Sequence, residues 1–354
     1  GYLPDDYGSS RFDSIPAYSA LLANPMTDSM PVSLIEDPAS QSIAPPLSPL
    51  MLSIRRFRKH RMAMFGFSLL MVLVIYISVA GIFSRGYCAP IKQDLTGEAW
   101  ANCNDTSLKL QPPSADHIFG TDVIGRDIFA RTIYGGQISL LIGISAAIVE
   151  VVLGALIGAL AAYYGGWVDS LLMRFTEAML NIPSLFLLII GARFFGGSLP
   201  DINIFGRELS GGVIVIILII GATSWMYLAR IVRANVLSLR ERDYVSAARA
   251  LGSSDRRIIL SHLLPNTTAP LIVSATLGVA NAILSEAYVS FLGLGVQGAT
   301  ATWGNMLDGA YQYLETAPWL WFFPGTFILL TVLGINFLGD GLRDALDPYS
   351  TKHL

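Results

Sequence analysis

The segment DYVSAARALGSSDRRIILSHLLP, Asp243 to Pro265, lies between two apolar runs of membrane length, and the rest of the chain is read outward from it. Ala247, Ala248, Ala250 and Leu251 are good helix formers, and Gly252 stands where a left-handed residue would end their helix. Ser253 or Ser254 can cap a second helix, Asp255 suits its positive first turn, and Pro265 suits the start of the next. Ala247 and Ala248 flatten one face of the first helix, so that another backbone could approach closely. Arg249, Arg256 and Arg257 keep the unit in water and on the cytoplasmic side. On this stretch alone, a basic cytosolic loop with no partner is the competing reading.

Composition places that unit in a membrane protein. Of 354 residues, 53% are apolar and only 14% charged, against roughly 25% charged in soluble domains. Mean hydropathy is +0.54. The net charge of −3 carries little information, because the charges are unevenly distributed. The Arg clusters are short and sit beside apolar runs, which argues against a nucleic-acid partner. The four Lys residues are 59, 92, 109 and 352, and none follows a Gly. A phosphate-cradling GxxxxGK[ST] loop is therefore excluded, and HExxH and GxSxG are also absent. Neither ATP hydrolysis nor membrane-embedded catalysis is expected of this chain, and no catalytic residue, metal site or cofactor is assigned to it.

In chain order, residues 1–50 hold eight Pro, nine Ser, six acidic residues and one Arg, the composition of a disordered cytoplasmic tail without a secretory leader. Residues 51–85 combine the basic flank IRRFRKHR, from Ile54, with a first span over Met62 to Phe83, so the amino terminus is expected inside. Residues 86–136 are polar and expected outside. Five further spans fill 137–340: Ile138 to Tyr164, Leu171 to Phe195 with Pro183 inside it, Gly211 to Ala229, Asn266 to Leu292, and Trp319 to Leu338. Residues 341–354 return to the cytoplasm. The loop from Gly293 to Pro318 has no Lys or Arg, whereas Arg230 to Arg257 holds seven Arg. That asymmetry assigns 243–262 to the inside.

A few polar residues stand out. Cys88 and Cys103 share the 86–136 loop and could form a disulfide, remain free thiols, or bind zinc with His117. Arg126 and Asp127 could pair, and Arg174 and Glu177 are one helical turn apart. Glu150 falls in the middle of the second span, where it should face either a wet path favouring cationic cargo or a donor on a neighbouring helix. Glu286, near the outer end of the fifth span, could meet cargo, a sister subunit or a receptor, or tie the span to the following loop. Phe119 to Leu140 suggests an amphipathic approach to the membrane, and Trp303 to Leu314 a short interfacial helix.

Several phrases together resemble one family. Ala247-Ala248, Gly252 and Leu264-Pro265 resemble the coupling loop of ABC-importer membrane subunits, with Ser246 in place of the usual Glu and His262 in place of a usual Ile. FGTDVIGRDIFARTIYGGQISL from Phe119 resembles the phrase before the second span of C-type permeases of oligopeptide and dipeptide importers, at Gly120, Asp122, Gly125, Arg126, Asp127 and Arg131. SEAYVSFLGLGVQGATATWGNML from Ser285 and GDGLRDALDP from Gly339 are similar to later phrases of the same subunits, and the likeness extends over about Leu52 to Tyr349.

The resemblance implies an all-α membrane protein with six transmembrane helices, in the type I ABC importer permease fold, residing in a bacterial plasma (inner) membrane with both termini cytoplasmic. It implies that Ser246, Ala247, Ala248, Gly252, Leu264 and Pro265 meet an ATPase. The partners implied are a second permease subunit, two ATPase subunits that bind ATP and Mg, an extracytoplasmic solute-binding protein, and membrane lipid. Peptides or related small cargo would move inward. A permease of this family for nickel or other non-peptide cargo, and a self-sufficient secondary transporter or channel, are the alternatives.

Overall fold

The computed structural model describes residues 49–83, 85–196, 198–204, 207–296 and 300–347. The tail expected over 1–50 lies outside them except for its last two residues, as does the end of the 341–354 segment. The basic flank is itself helical. Helix α1 (Pro49–Lys59) ends at His60, whose Nδ1 accepts a hydrogen bond from the Ala63 amide at 3.0 Å and so caps α2 (Arg61–Phe83). A small hairpin of β1 (Arg85–Cys88) and β2 (Gln93–Thr96) follows, then the short α3 (Gly97–Ala101).

Helix α4 (Ile128–Tyr164) begins ten residues before the expected second span. Asp127 makes that possible: its carboxylate accepts from the Ala130 amide at 2.8 Å, an N-cap that satisfies one of the helix's open amides. At 37 residues the helix is about 55 Å long and projects beyond the ~30 Å hydrocarbon core.

The span expected over Leu171 to Phe195 is broken. Helix α5 (Gly166–Leu180) and α6 (Ser184–Phe195) meet at 87° across Asn181-Ile182-Pro183. Pro183 lacks an amide hydrogen and disfavours helix in the residue before it, so the break falls there. After a second hairpin, β3 (Ile202–Ile204) and β4 (Arg207–Leu209), helix α7 runs from Gly211 to Arg240, eleven residues past the expected end.

Helices α4 and α7 run parallel, because Val149, Gly154 and Gly158 meet Gly221, Leu228 and Ala229 in rising order. A Cβ on Gly158 would come within 2.4 Å of the Ala229 carbonyl oxygen, so only glycine allows this approach. Parallel neighbours require the chain between them to return across the bundle. The bent α5–α6 pair therefore serves as one crossing. Among the described residues five helices are long and apolar enough to span a membrane, and six crossings result when the bent pair counts as one.

The 243–265 segment forms α8 (Asp243–Ala250), a turn, and α9 (Asp255–Arg257), which continues through a π-helical turn at Ile258–Leu263 and a 3-10 turn at Leu264–Thr267 into α10 (Thr268–Phe291). Pro265 thus stands in the first turn of the 3-10 segment, as expected, although that segment continues the helical run from Asp255 to Phe291. The widened turn before it accommodates the missing amide hydrogen. Helix α11 (Trp319–Leu346) closes the bundle against α2, where a Cβ on Gly66 would lie 2.6 Å from the Gly334 carbonyl oxygen. The bundle has a disulfide-bearing end, with the β1–β2 hairpin and residues 293–296 and 300–318, and an arginine-rich end, with 243–265.

Candidate functional site

At the arginine-rich end, α8 stops in a Schellman turn. The Ser253 amide donates to the Ala248 carbonyl at 3.1 Å and the Gly252 amide to Arg249 at 3.0 Å, with Gly252 at φ +77°. Nothing lies within 4 Å of where a Gly252 Cβ would be, and Leu251 beside it is 87% exposed. The unit therefore projects from the bundle. Ser254 starts the next helix but makes no side-chain capping bond, unlike the expectation for Ser253 or Ser254. Ala247 and Ala248 also divide their work, since Ser246 and Ala247 are exposed whereas Ala248 and Val245 are buried. One helix face is anchored and the other is presented.

The anchoring is apolar and polar together. Val245, Ile258, Ile259 and Leu263 pack with Ala159, Ala162 and Tyr163 of α4 and with Val232 and Val236 of α7. Leu264 packs at the margin of this cluster, while Pro265 is exposed. Tyr163 Oη donates to Asp255 Oδ1 at 2.5 Å, and the Arg249 guanidinium lies 5.8 Å from the centre of the Tyr163 ring. Arg240 Nη1 donates to the Ala162 carbonyl at 2.8 Å. Nearby, Arg233 holds Asp169 of α5 through two bonds of 2.5 and 2.6 Å. These contacts tie the projecting unit to α4 and α7, and α7 to α5 of the broken span.

Between these helices lies a cavity of about 750 Å³, bordered by Glu150, Thr223, Ser224, Asn281 and Ser285 among polar residues. The broken span contributes Pro183 and Ser184, so the 87° bend helps to open it. The Glu150 carboxylate lies against Gly278 of α10, where a Cβ would stand 2.7 Å from Oε2. Of the two sequence readings for Glu150, this arrangement has it on a hollow.

Glu286 has the other fate. It is 1% exposed, and its Oε1 accepts hydrogen bonds from Ser290 and Thr302, both at 2.7 Å. It ties α10 to the loop that follows and does not face open space. Trp303, expected in an interfacial helix, is fully buried and donates from Nε1 to the Thr132 carbonyl at 2.8 Å. Gly304 and the left-handed Gly309 (φ +70°) leave only short 3-10 turns at Asn305–Leu307 and Ala310–Tyr313, so the amphipathic helix does not form.

At the same end, Cys88 and Cys103 are joined in a disulfide with a Cα separation of 5.9 Å. His117 is not beside them: its Nδ1 is 2.7 Å from Asp127 Oδ2. The expected Arg126–Asp127 pair is likewise replaced. Arg126 Nε donates to Asp122 Oδ2 at 2.6 Å, while Asp122 Oδ1 accepts the amides of Ile124 and Arg126. The stretch from Gly120 to Arg131 is thus a folded cap on α4 rather than an amphipathic segment lying on the membrane.

The family described as the binding-protein-dependent transport system inner membrane component matches residues 154–351, from the second half of α4 past the end of α11. The chain belongs to this family. Residues 48–113 also match the N-terminal TM domain of oligopeptide transport permease C, which takes in α1, α2 and the disulfide-linked hairpin. Among curated relatives, the dipeptide transport system permease protein DppC of Alkalihalophilus pseudofirmus is 42% identical over 302 residues, 85% of this chain and 90% of that one. A putative peptide permease protein of Brucella suis is 40% identical over 314 residues, 87% and 94% of the two chains. The oligopeptide transport system permease protein OppC of Bacillus subtilis is 37% identical over 297 residues, 84% and 88%.

For a multi-pass inner membrane component of such a transport system, the structure adds residues that the sequence did not single out. Tyr163, Asp169 and Arg233 were ordinary helix-end residues in one dimension. Their partners are 92 positions away for Tyr163 and 64 for Asp169, and no local spacing rule connects them. Asp255 was read as a first-turn acid, and its second role as acceptor for Tyr163 needed the fold.

Proposed function

We propose that this chain is one transmembrane subunit of an ATP-driven importer that carries peptides into the cytoplasm, with ATP and Mg bound on partner ATPase subunits. The observation that carries the reading is the projecting 243–265 unit. It presents Ser246, Ala247, Leu251 and Gly252 outward while Val245, Ala248 and Leu263 root it in α4 and α7. A short amphipathic element of this kind fits a cleft in a separate protein. The names of the relatives, dipeptide and oligopeptide permeases, support peptide cargo.

The arginine-rich end belongs in the cytoplasm by the positive-inside rule, and the Cys88–Cys103 disulfide suits the oxidising side. Six crossings then leave α1 and the end of α11 both in the cytoplasm of a bacterial cell. A second permease subunit, two ATPases and an extracytoplasmic binding protein complete the assembly. Closure of the ATPases draws their two coupling elements together. Each moves its bundle as a rigid body and exposes the cavity beside Glu150 alternately to the two sides. Glu150 favours the ammonium end of the cargo.

The test is reconstitution. The tagged chain, purified from its native host, should bring down a nucleotide-hydrolysing subunit in stoichiometric amount, and a cysteine placed at Leu251 should crosslink to it. ATP-dependent uptake of a labelled dipeptide into vesicles should follow. A complex without an ATPase, or with residue 251 reactive only from outside the cell, would sink the proposal.

A further inference from the structure

The cap on α4 contains a buried guanidinium with an open donor. Arg131, in the first turns of α4, is only 3% exposed, and its Nη1 has no hydrogen-bond partner among the described residues. Nearby Arg126 is already committed to Asp122. Asn305, which faces the same space, is fully engaged: Oδ1 accepts the Thr302 amide at 3.0 Å, and Nδ2 donates to Thr300 and Val296. Two hollows, of about 210 and 190 Å³, border Arg126, Arg131, Asn305 and Asp308. Asp308 is exposed at the rim, Asp122 on the wall of the larger hollow is held by Arg126, and the open Nη1 of Arg131 is deep.

We infer that this hollow is a binding site for a carboxylate group, supplied by a free small acid or by the carboxyl end of a short peptide. A guanidinium offers a planar fork of donors that matches the two oxygens of a carboxylate, and a buried one that lacks a partner is costly to leave so. Burial strengthens the contact, because water does not compete for it. The volume admits a group of a few heavy atoms. The negative rim at Asp308 favours a ligand whose carboxylate is followed by an ammonium, as in an amino acid. The site lies at the opposite end of the 37-residue α4 from Tyr163 and Asp255, so it is separate from the projecting unit. It does not depend on the cargo assigned above.

Binding decides it. The whole complex, in lipid nanodiscs without nucleotide, is titrated by equilibrium dialysis with labelled acetate, glycine and trialanine, and with acetamide and trialanine amide as neutral counterparts. Each acid that fits should bind at least tenfold more tightly than its amide, and Arg131→Gln should remove that preference. Acetate and glycine binding without trialanine assigns the free small acid, and trialanine binding assigns the peptide end. Because Arg131→Gln could disturb folding, Asp308→Asn serves as a second variant. Removing the rim charge from an exposed position should tighten acetate severalfold and leave acetamide unchanged. Equal binding of acids and amides by the unaltered protein, no binding of any acid, or acid binding unaffected by a folded Arg131→Gln would overturn the inference, the guanidinium then being satisfied by water.

Discussion

Tyr163 Oη donates to Asp255 Oδ1 at 2.5 Å, a bond that fastens the last turn of α4 to the first turn after Gly252. If the projecting unit is driven as proposed, this contact and the apolar packing are its links to a transmembrane helix. Tyr163→Phe keeps the ring in place and deletes only the donor. Vesicle uptake per ATP hydrolysed should fall severalfold while membrane insertion and ATPase binding stay normal. An unchanged ratio of uptake to hydrolysis would show that the apolar contacts carry the motion alone.

Gly252 holds φ +77° with open space around it. Ala there pays the left-handed backbone cost, about 1–2 kcal/mol, but clashes with nothing in this chain. Gly252→Ala should therefore lower the thermal midpoint slightly and keep the complex assembled. Gly252→Trp should fold in the membrane yet lose stoichiometric ATPase on affinity purification. Full retention of ATPase and uptake by the Trp variant would contradict the docking role.

For Glu150, the discriminating measurement uses paired cargo. If its carboxylate attracts the ammonium end of a peptide, Glu150→Gln should reduce uptake of a free dipeptide about tenfold. Uptake of the N-acetylated form should not change. Equal effects on both would leave Glu150 as a packing residue against Gly278.

His117 gives a pH signature. Its hydrogen bond to Asp127 raises the imidazole pKa, and the charges of Asp127, Asp116 and Asp105 act in the same direction, against a smaller lowering from burial. A raised value means that the folded state holds the proton more tightly than the unfolded one. The stabilisation is then fully present below the ordinary value of 6.5 and is lost as pH climbs through the higher folded value. The thermal midpoint of the unaltered protein minus that of His117→Gln should shrink between acidic and alkaline pH. A difference that grows with pH would reject the ion pair.

Reduction of Cys88–Cys103 tests how local the hairpin is. The bond closes a 15-residue separation, worth about 3 kcal/mol in a chain-entropy estimate. Hydrogen exchange should rise across 85–103 after reduction, with α4 and α7 unaffected. Spread of exchange into α4 would mean that the hairpin holds the bundle together.

The helices were legible because each had to satisfy its own backbone in lipid, which forces long apolar runs whatever the neighbours do. The Gly252 turn was legible for a similar reason: a left-handed residue after an Ala-rich helix is a local event. The misreadings were of another kind. Arg126 could have paired with Asp127 or Asp122, both within reach, and the loop closed by Gly125 chose Asp122. Trp303 has the pattern of an interfacial residue, but its indole lies inside the bundle, bonded to Thr132.

Spans, the basic asymmetry and the projecting hinge came from order along the chain, since hydropathy, charge and turn chemistry act over a few residues. Which face of α8 is rooted, where Glu150 and Glu286 point, and that Arg131 lies buried beside a hollow came from packing alone. Those outcomes depend on partners tens to hundreds of positions apart, brought together by close helix contacts such as Gly158 on Ala229, and no local pattern records such a meeting.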